Sequence, residues 1–136
     1  MKRTGTAHWT GDLKTGHGHL STPSTILQQT QYSYKTRFED GVGTNPEELL
    51  AVSHAGCFTM AVSAILSQAG FSAESLDTVA TLTLEGLDVT GIHLAIEGKV
   101  PGLDAEKFAE VVKNAEQNCI ISKALKVPIT SEAILH

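Results

Sequence analysis

Residues Asn45 to Gly70, NPEELLAVSHAGCFTMAVSAILSQAG, constrain this chain more than any other stretch. Pro46 suits the first helical position, where a missing N–H costs nothing, and Asn45 before it is a good N-cap. Glu47 and Glu48 fall in the first turn, where the helix dipole favours negative charge. Gly70 tolerates left-handed backbone and supplies the stop. The spacing predicts a helix over Pro46 to Ala69, roughly 36 Å long at 1.5 Å per residue. Leu49, Leu50, Val52, Phe58, Met60, Val62, Ile65 and Leu66 leave it almost no polar face, so it is expected to be buried on most sides. At its centre sits a thiol, Cys57.

The rest of the chain is read around that helix. Its 136 residues suffice for one modest core, and a single domain over residues 1–136 is expected. Thr4 to Thr10 alternates as a strand, Gly11-Asp12 turns, and Leu13 to Ser21 resumes the alternation. After Pro23, Ile26 to Phe38 reads as a third strand ending near Arg37, and Glu39 to Thr44 as a polar loop into the helix. Beyond Gly70, Asp77–Glu85 and Ile92–Val100 form a hairpin-like pair around a turn at residues 86–91. Asp104 caps a helix over Ala105 to Gln117, Ile120 to Leu125 is a second short helix, and Val127 to Leu135 closes as a strand. The order β-β-β, long α, β-β, α-α, β is that of an α+β protein. So apolar a helix is hard to cover in so small a domain, and a second copy in a symmetric homodimer is expected to cover the remaining face.

Charge and composition remove several classes. Net charge is -5 and the ten basic residues are scattered, which argues against nucleic acid or an anionic membrane as partner. The start, MKRTGTAHWTGD, has no apolar run and does not read as a signal peptide. Residues 46–69 could span a bilayer by length, but Glu47, Glu48, Ser53, His54, Ser63, Ser67 and Gln68 make a membrane reading poor. Two cysteines make no disulfide scaffold, and a reducing cytoplasmic setting is expected.

A free cysteine on an apolar helix is ordinarily a small core hydrophobe. Three companions point elsewhere: Cys119 just after a helix, Arg37 at the presumed strand end, and Glu47 in the first turn of the Cys57 helix. A thiolate is favoured beside a cation, and a guanidinium is always charged. A carboxylate orients that guanidinium through a two-pronged hydrogen bond. The set Cys, Arg, Glu, Cys is what thiol-based peroxide reduction requires.

In their settings these residues resemble the OsmC/Ohr family of organic hydroperoxide reductases. The resemblance is carried by TRFEDGVGTNPEELLAVSHAGCFTMAVS, VPGLDAEKF and AEQNCIISKAL, and runs over nearly the whole chain. Arg37, just before the long helix, matches the OsmC branch. The resemblance implies an OsmC-like fold, an antiparallel sheet wrapped around a long central helix in an intertwined homodimer. It also implies Cys57 as peroxidatic cysteine, Cys119 as resolving cysteine, and Arg37 with Glu47 as the activating pair. Cys57 thiolate would attack the distal oxygen of an organic hydroperoxide, release the alcohol and become a sulfenic acid. Cys119 would condense with it to a disulfide, which an external dithiol reductant opens by exchange. No cofactor or metal is implied.

One geometric expectation follows from spacing alone. Glu47 and Cys57 are ten residues apart, hence about 15 Å along a continuous helix and some 80° off one face. The Arg37–Glu47 pair is therefore expected to reach the cysteine of the partner chain.

Other readings stay in view. His54 lies three residues before Cys57, within touching distance on a helix; a hydrolase pair, however, normally draws its histidine from a separate element with a third group to orient it. His8, His17, His19, His93 and His136 show no metal-ligand spacing beyond His17-Gly18-His19, which reads as a surface strand. Phe58 and Met60 are either plain core or the wall of a pocket favouring bulky organic tails. The rival to the enzyme is a non-catalytic dimeric stress protein holding a lipid-like ligand at its interface.

Overall fold

A computed structural model describes residues 1–136 as two compact units, Met1–Leu49 and Leu50–His136. In the first, β1 (Thr6–Thr10), β2 (His17–Ser21) and β3 (Thr30–Tyr32) form an antiparallel sheet in chain order. Gly18 in β2 pairs with both Trp9 and Tyr32. A Cβ there would come within 2.7 Å of the Tyr32 ring and 2.8 Å of the Trp9 ring, so only glycine lets the rings meet edge to face at 5.4 Å. His17 and His19 lie on this exposed ribbon, with His19 stacked on His8.

The expected third strand over Ile26 to Phe38 is a correction. Only Thr30–Tyr32 is strand, and Arg37 stands on a short helix, α1 (Tyr34–Phe38). Thr25 and Gln29 take left-handed backbone, φ 64° and 49°, which breaks the extended run before Thr30. Ser33 then caps α1: Thr36 N–H donates to Ser33 Oγ (3.3 Å) and Ser33 N–H to Thr36 Oγ1 (2.8 Å).

The long helix α2 (Pro46–Gln68) forms as its local chemistry dictates. Asn45 Oδ1 accepts from Glu48 N–H at 2.7 Å, and Asn45 Nδ2 donates to the Thr36 carbonyl at 2.8 Å, tying the helix start to α1. Gly70 (φ 88°) ends the helix, with Phe71 N–H on the Leu66 carbonyl and Gly70 N–H on that of Ser67.

The second unit pairs β4 (Ser75–Glu85) antiparallel with β5 (Asp88–Lys99), and β5 parallel with β6 (Ile129–Leu135). The hairpin turn is Gly86-Leu87, tighter than the sequence suggests. The expected α+β architecture with its long helix is present; the strands divide into two sheets, the first antiparallel and the second mixed. The chain leaves β5 through α3 (Ala105–Asn118) and α4 (Ile120–Ala124) before β6, and a helical crossover of that length returns the strand parallel. Asp104 caps α3 by accepting from Lys107 N–H at 2.7 Å. Ile92, Leu94 and Ile96 of β5 pack with Phe108, Val112 and Ala115 of α3 and with Phe58, Val62 and Leu66 of α2. Phe108 lies directly against Gly98.

Within the chain α2 is not buried on most sides. Only His54, Phe58, Val62 and Leu66, one row at i+4 spacing, are buried, while Val52 and Met60 stand largely exposed. By length and composition α2 could cross a membrane, yet this row lies in the core of a folded unit.

Candidate functional site

The second unit carries both cysteines, and both are free. Cys57 sits in the middle of α2 and is half-buried; Cys119, 3% exposed, is the residue between α3 and α4. The tight junction of the two helices makes Cys119 the N-cap of α4, and its sulfur accepts from Ser122 N–H at 3.3 Å. The sulfur of Cys57 accepts from Ile121 N–H, one residue earlier in the same turn, at 3.5 Å. The first turn of α4 thus directs one backbone N–H at each sulfur.

The two thiols share a pocket of about 280 Å³ with Met60, Ala61, Asn118 and Ile120. Met60 and Ile120 are 76% and 74% exposed, so two of the chain's most accessible large apolar side chains stand beside the two sulfurs. Such a wall suits an organic tail better than a water-sized ligand. Phe58, by contrast, is wholly buried and belongs to the core alone.

The first unit carries the cation. Arg37 Nε and Nη2 donate to Glu47 Oε1 at 2.8 and 2.7 Å. Both prongs land on one oxygen, leaving Oε2 buried without a partner. The guanidinium, 45% exposed, lies over the Phe38 ring at 5.3 Å. Thr36, Asn45 and Ser33 fix this pair by joining α1 to the start of α2. Since α2 is unbroken from Pro46 to Gln68, Glu47 and Cys57 are separated by about 15 Å along its axis.

His54 does not act as the neighbour of Cys57 that its spacing suggested. Its Nε2 lies 2.7 Å from Ser122 Oγ, and Cys119 Sγ–H donates to that same hydroxyl at 3.0 Å. The imidazole is fully buried, which lowers its pKa below the ordinary 6.5 by penalising the cation; its Nδ1 has no partner. Ser122 was not singled out in the sequence. The three-residue spacing from an N-cap to its N3 position was the available signal, because it places the residue 122 side chain beside the residue 119 sulfur.

A family model described as OsmC-like protein matches residues 38–133. The chain is 46% identical to peroxiredoxin OsmC of Escherichia coli K12 over 134 residues, covering 96% of this chain and 94% of that one. It is 34% identical over 113 residues to organic hydroperoxide resistance protein-like 2 of Staphylococcus epidermidis, covering 79% and 78%. Among solved structures, an OsmC-like protein of Vibrio cholerae superposes with TM-score 0.75 at 14% identity, over 98% of this chain and 99% of that one.

Proposed function

The chain belongs to the OsmC-like family, and on that premise we propose a two-cysteine cycle in which it reduces organic hydroperoxides. It is a thiol-dependent peroxidase. The observation that carries the site assignment is the pairing of two free cysteines on one apolar pocket, each sulfur facing an N–H of the same helical turn.

Cys57 is the peroxidatic residue. Its thiolate attacks the distal oxygen of ROOH, the O–O bond breaks, and the alkoxide takes a proton and leaves as alcohol, giving Cys57–SOH. Met60 and Ile120 receive the organic tail. Cys119 then displaces hydroxide from the sulfenic sulfur, and an external dithiol reduces the resulting disulfide by two exchanges. Arg37, oriented by Glu47, stabilises the thiolate and the charge developing on the leaving oxygen. Ten residues of α2 lie between Glu47 and Cys57, and on our proposal the Arg37–Glu47 pair serves the cysteine of a second copy, with the homodimer as the catalytic unit. The apolar flank of α2 that the chain leaves uncovered supports that partner. We take residues 1–136 as one functional domain, soluble and at home in a reducing cytoplasm, where an external dithiol is available.

Two substitutions test the cycle. Cys57→Ser abolishes hydroperoxide consumption, whereas a protein that merely held an apolar ligand would lose nothing. Cys119→Ser completes one turnover with stoichiometric cumene hydroperoxide and then accumulates oxidised Cys57. Undiminished steady-state turnover in either variant removes that cysteine from the mechanism.

A further inference from the structure

The row of α2 that faces the core runs His54, Phe58, Val62, Leu66. Three of these are apolar; the fourth is an imidazole, fully buried, with one ring nitrogen unpartnered. An aliphatic side chain would pack at that position without stranding a polar atom. A residue that breaks the local rule at such a cost points to a task, and its one bond shows where the task lies.

That bond begins a chain: His54 Nε2 to Ser122 Oγ at 2.7 Å, and Ser122 Oγ to Cys119 Sγ at 3.0 Å. With the sulfur as donor in the second contact, the serine hydroxyl is free to donate to the imidazole in the tautomer that leaves Nε2 bare and protonates Nδ1, and the relay uses that tautomer. Thiol, hydroxyl and imidazole thus stand in the order donor, relay, acceptor. The arrangement resembles a nucleophile paired with a base, with a hydroxyl interposed. All three residues belong to the second unit.

The geometry points to a proton relay that activates the resolving thiol: Cys119 passes its proton to Ser122 as Ser122 passes its own to His54. The inference rests on the two-cysteine cycle proposed above. In the closing step Cys119 Sγ, relieved of its proton, attacks the sulfenic sulfur of Cys57. The S–S bond forms, the S–O bond breaks, and hydroxide leaves with the electron pair to be protonated by solvent. His54 carries the thiol's proton only transiently and releases it to solvent, which balances the proton taken up by the leaving hydroxide. When the dithiol reductant attacks Cys57, Cys119 leaves as thiolate and takes up the proton that the reductant's thiol gives up, so no proton is gained or lost by the relay over a cycle. Because burial disfavours the imidazolium, the transfer is uphill and is drawn forward only as the S–S bond forms. Ser122 touches the reacting sulfur and is a catalytic residue; His54 acts through it and is a positioning residue.

The test separates the two oxidative steps in the full-length protein. Reduced protein is mixed with one equivalent of cumene hydroperoxide; Cys57–SOH is followed by a sulfenic-acid trap, and disulfide by quench and mass measurement. In His54→Gln the amide can still bond the Ser122 hydroxyl but cannot take its proton. Formation of Cys57–SOH should keep its parent rate while disulfide closure slows about 100-fold, the low end of what a positioned base contributes. Ser122→Ala keeps the backbone N–H to Cys119 and should show the same split, which guards against misfolding of the histidine variant. Disulfide closure at the parent rate in His54→Gln would show that a hydrogen bond suffices and overturn the relay. Equal slowing of both steps in both variants would assign these residues to packing and overturn it too. Failure of the parent protein to form any Cys57–Cys119 disulfide is a different result, which sinks the two-cysteine cycle itself.

Discussion

The proposed cross-subunit placement of the Arg37–Glu47 pair is the part of the mechanism most open to a direct test. Glu47 and Cys57 are ten residues apart on α2, about 15 Å of helix rise. Two unit charges at 4 Å interact by about 4 kcal/mol at an effective dielectric of 20, and at 15 Å by about 1 kcal/mol before salt screening. With a screening length of about 8 Å at physiological ionic strength, most of that remainder is lost. An arginine confined to its own chain could therefore do little for the thiolate. One delivered by a partner to contact distance is worth a few kcal/mol, and its loss in Arg37→Ala should cost on the order of 100-fold in kcat/KM. Complementation distinguishes the two placements. A chain bearing Cys57→Ser and a chain bearing Arg37→Ala are co-expressed with different tags, and the mixed dimer is isolated by two affinity steps. If each site takes its cysteine from one chain and its arginine from the other, the mixed dimer carries one complete site and should show about half the parent activity. If each site is built within one chain, neither site is complete. A mixed dimer no more active than the Arg37→Ala homodimer would refute the shared site.

Two further outcomes follow from the second unit. Met60 is largely exposed at the pocket wall and is positioned to be covered by an organic tail. Met60→Ser should lower kcat/KM for cumene hydroperoxide by about 10-fold and hydrogen peroxide turnover by much less; equal losses on both would remove Met60 from tail recognition. Burial depresses the His54 pKa below 6.5, so below that value the unfolded chain binds a proton that the folded chain resists. Its contribution to stability is complete above about pH 6.5 and is lost as the pH falls toward the depressed folded value, by at most about 1.4 kcal/mol per pH unit. Urea midpoints taken between about pH 7.5 and 5 should fall more steeply for the parent than for His54→Gln. Parallel lines would show that His54 titrates alike in both states.

How much of this could be read from the chain depends on whether the deciding chemistry is local. Asn45, Pro46 and Gly70 specify both ends of α2 through contacts within four residues, and Asp104 does the same for α3, so those helices were legible. Helix α1 was not, because its capping box uses a threonine at residue 36 where glutamate or glutamine is the familiar signal, and it runs for only five residues. The left-handed turns at Thr25 and Gln29 have no glycine to announce them. The parallel pairing of β5 with β6 is settled by the crossover helices and not by the pattern of either strand. At the site, the thiols, the arginine and the glutamate stood out by residue type and by resemblance. The partner of His54, however, lies 68 residues away, and no periodicity within α2 could have turned the imidazole toward Ser122 instead of Cys57.

The same helix connects the burial problem to the catalytic one. A helix with so little polar surface buries only one row of side chains within its own chain, which leaves Val52 and Met60 in contact with water. Scattered exposed apolar residues are ordinary, but here they lie on the helix that carries Cys57, the proposed nucleophile, and Met60 lines the same pocket as Cys57. That helix also holds its arginine-binding carboxylate ten residues from its cysteine, a spacing that no rotamer of Glu47 can close. The proposed second copy, laid against α2, would answer both needs with one surface: it would cover apolar area that α2 exposes and bring a guanidinium to the Cys57 sulfur. For that reason the stability of the dimer and the reactivity of Cys57 should fail together when that surface is disrupted.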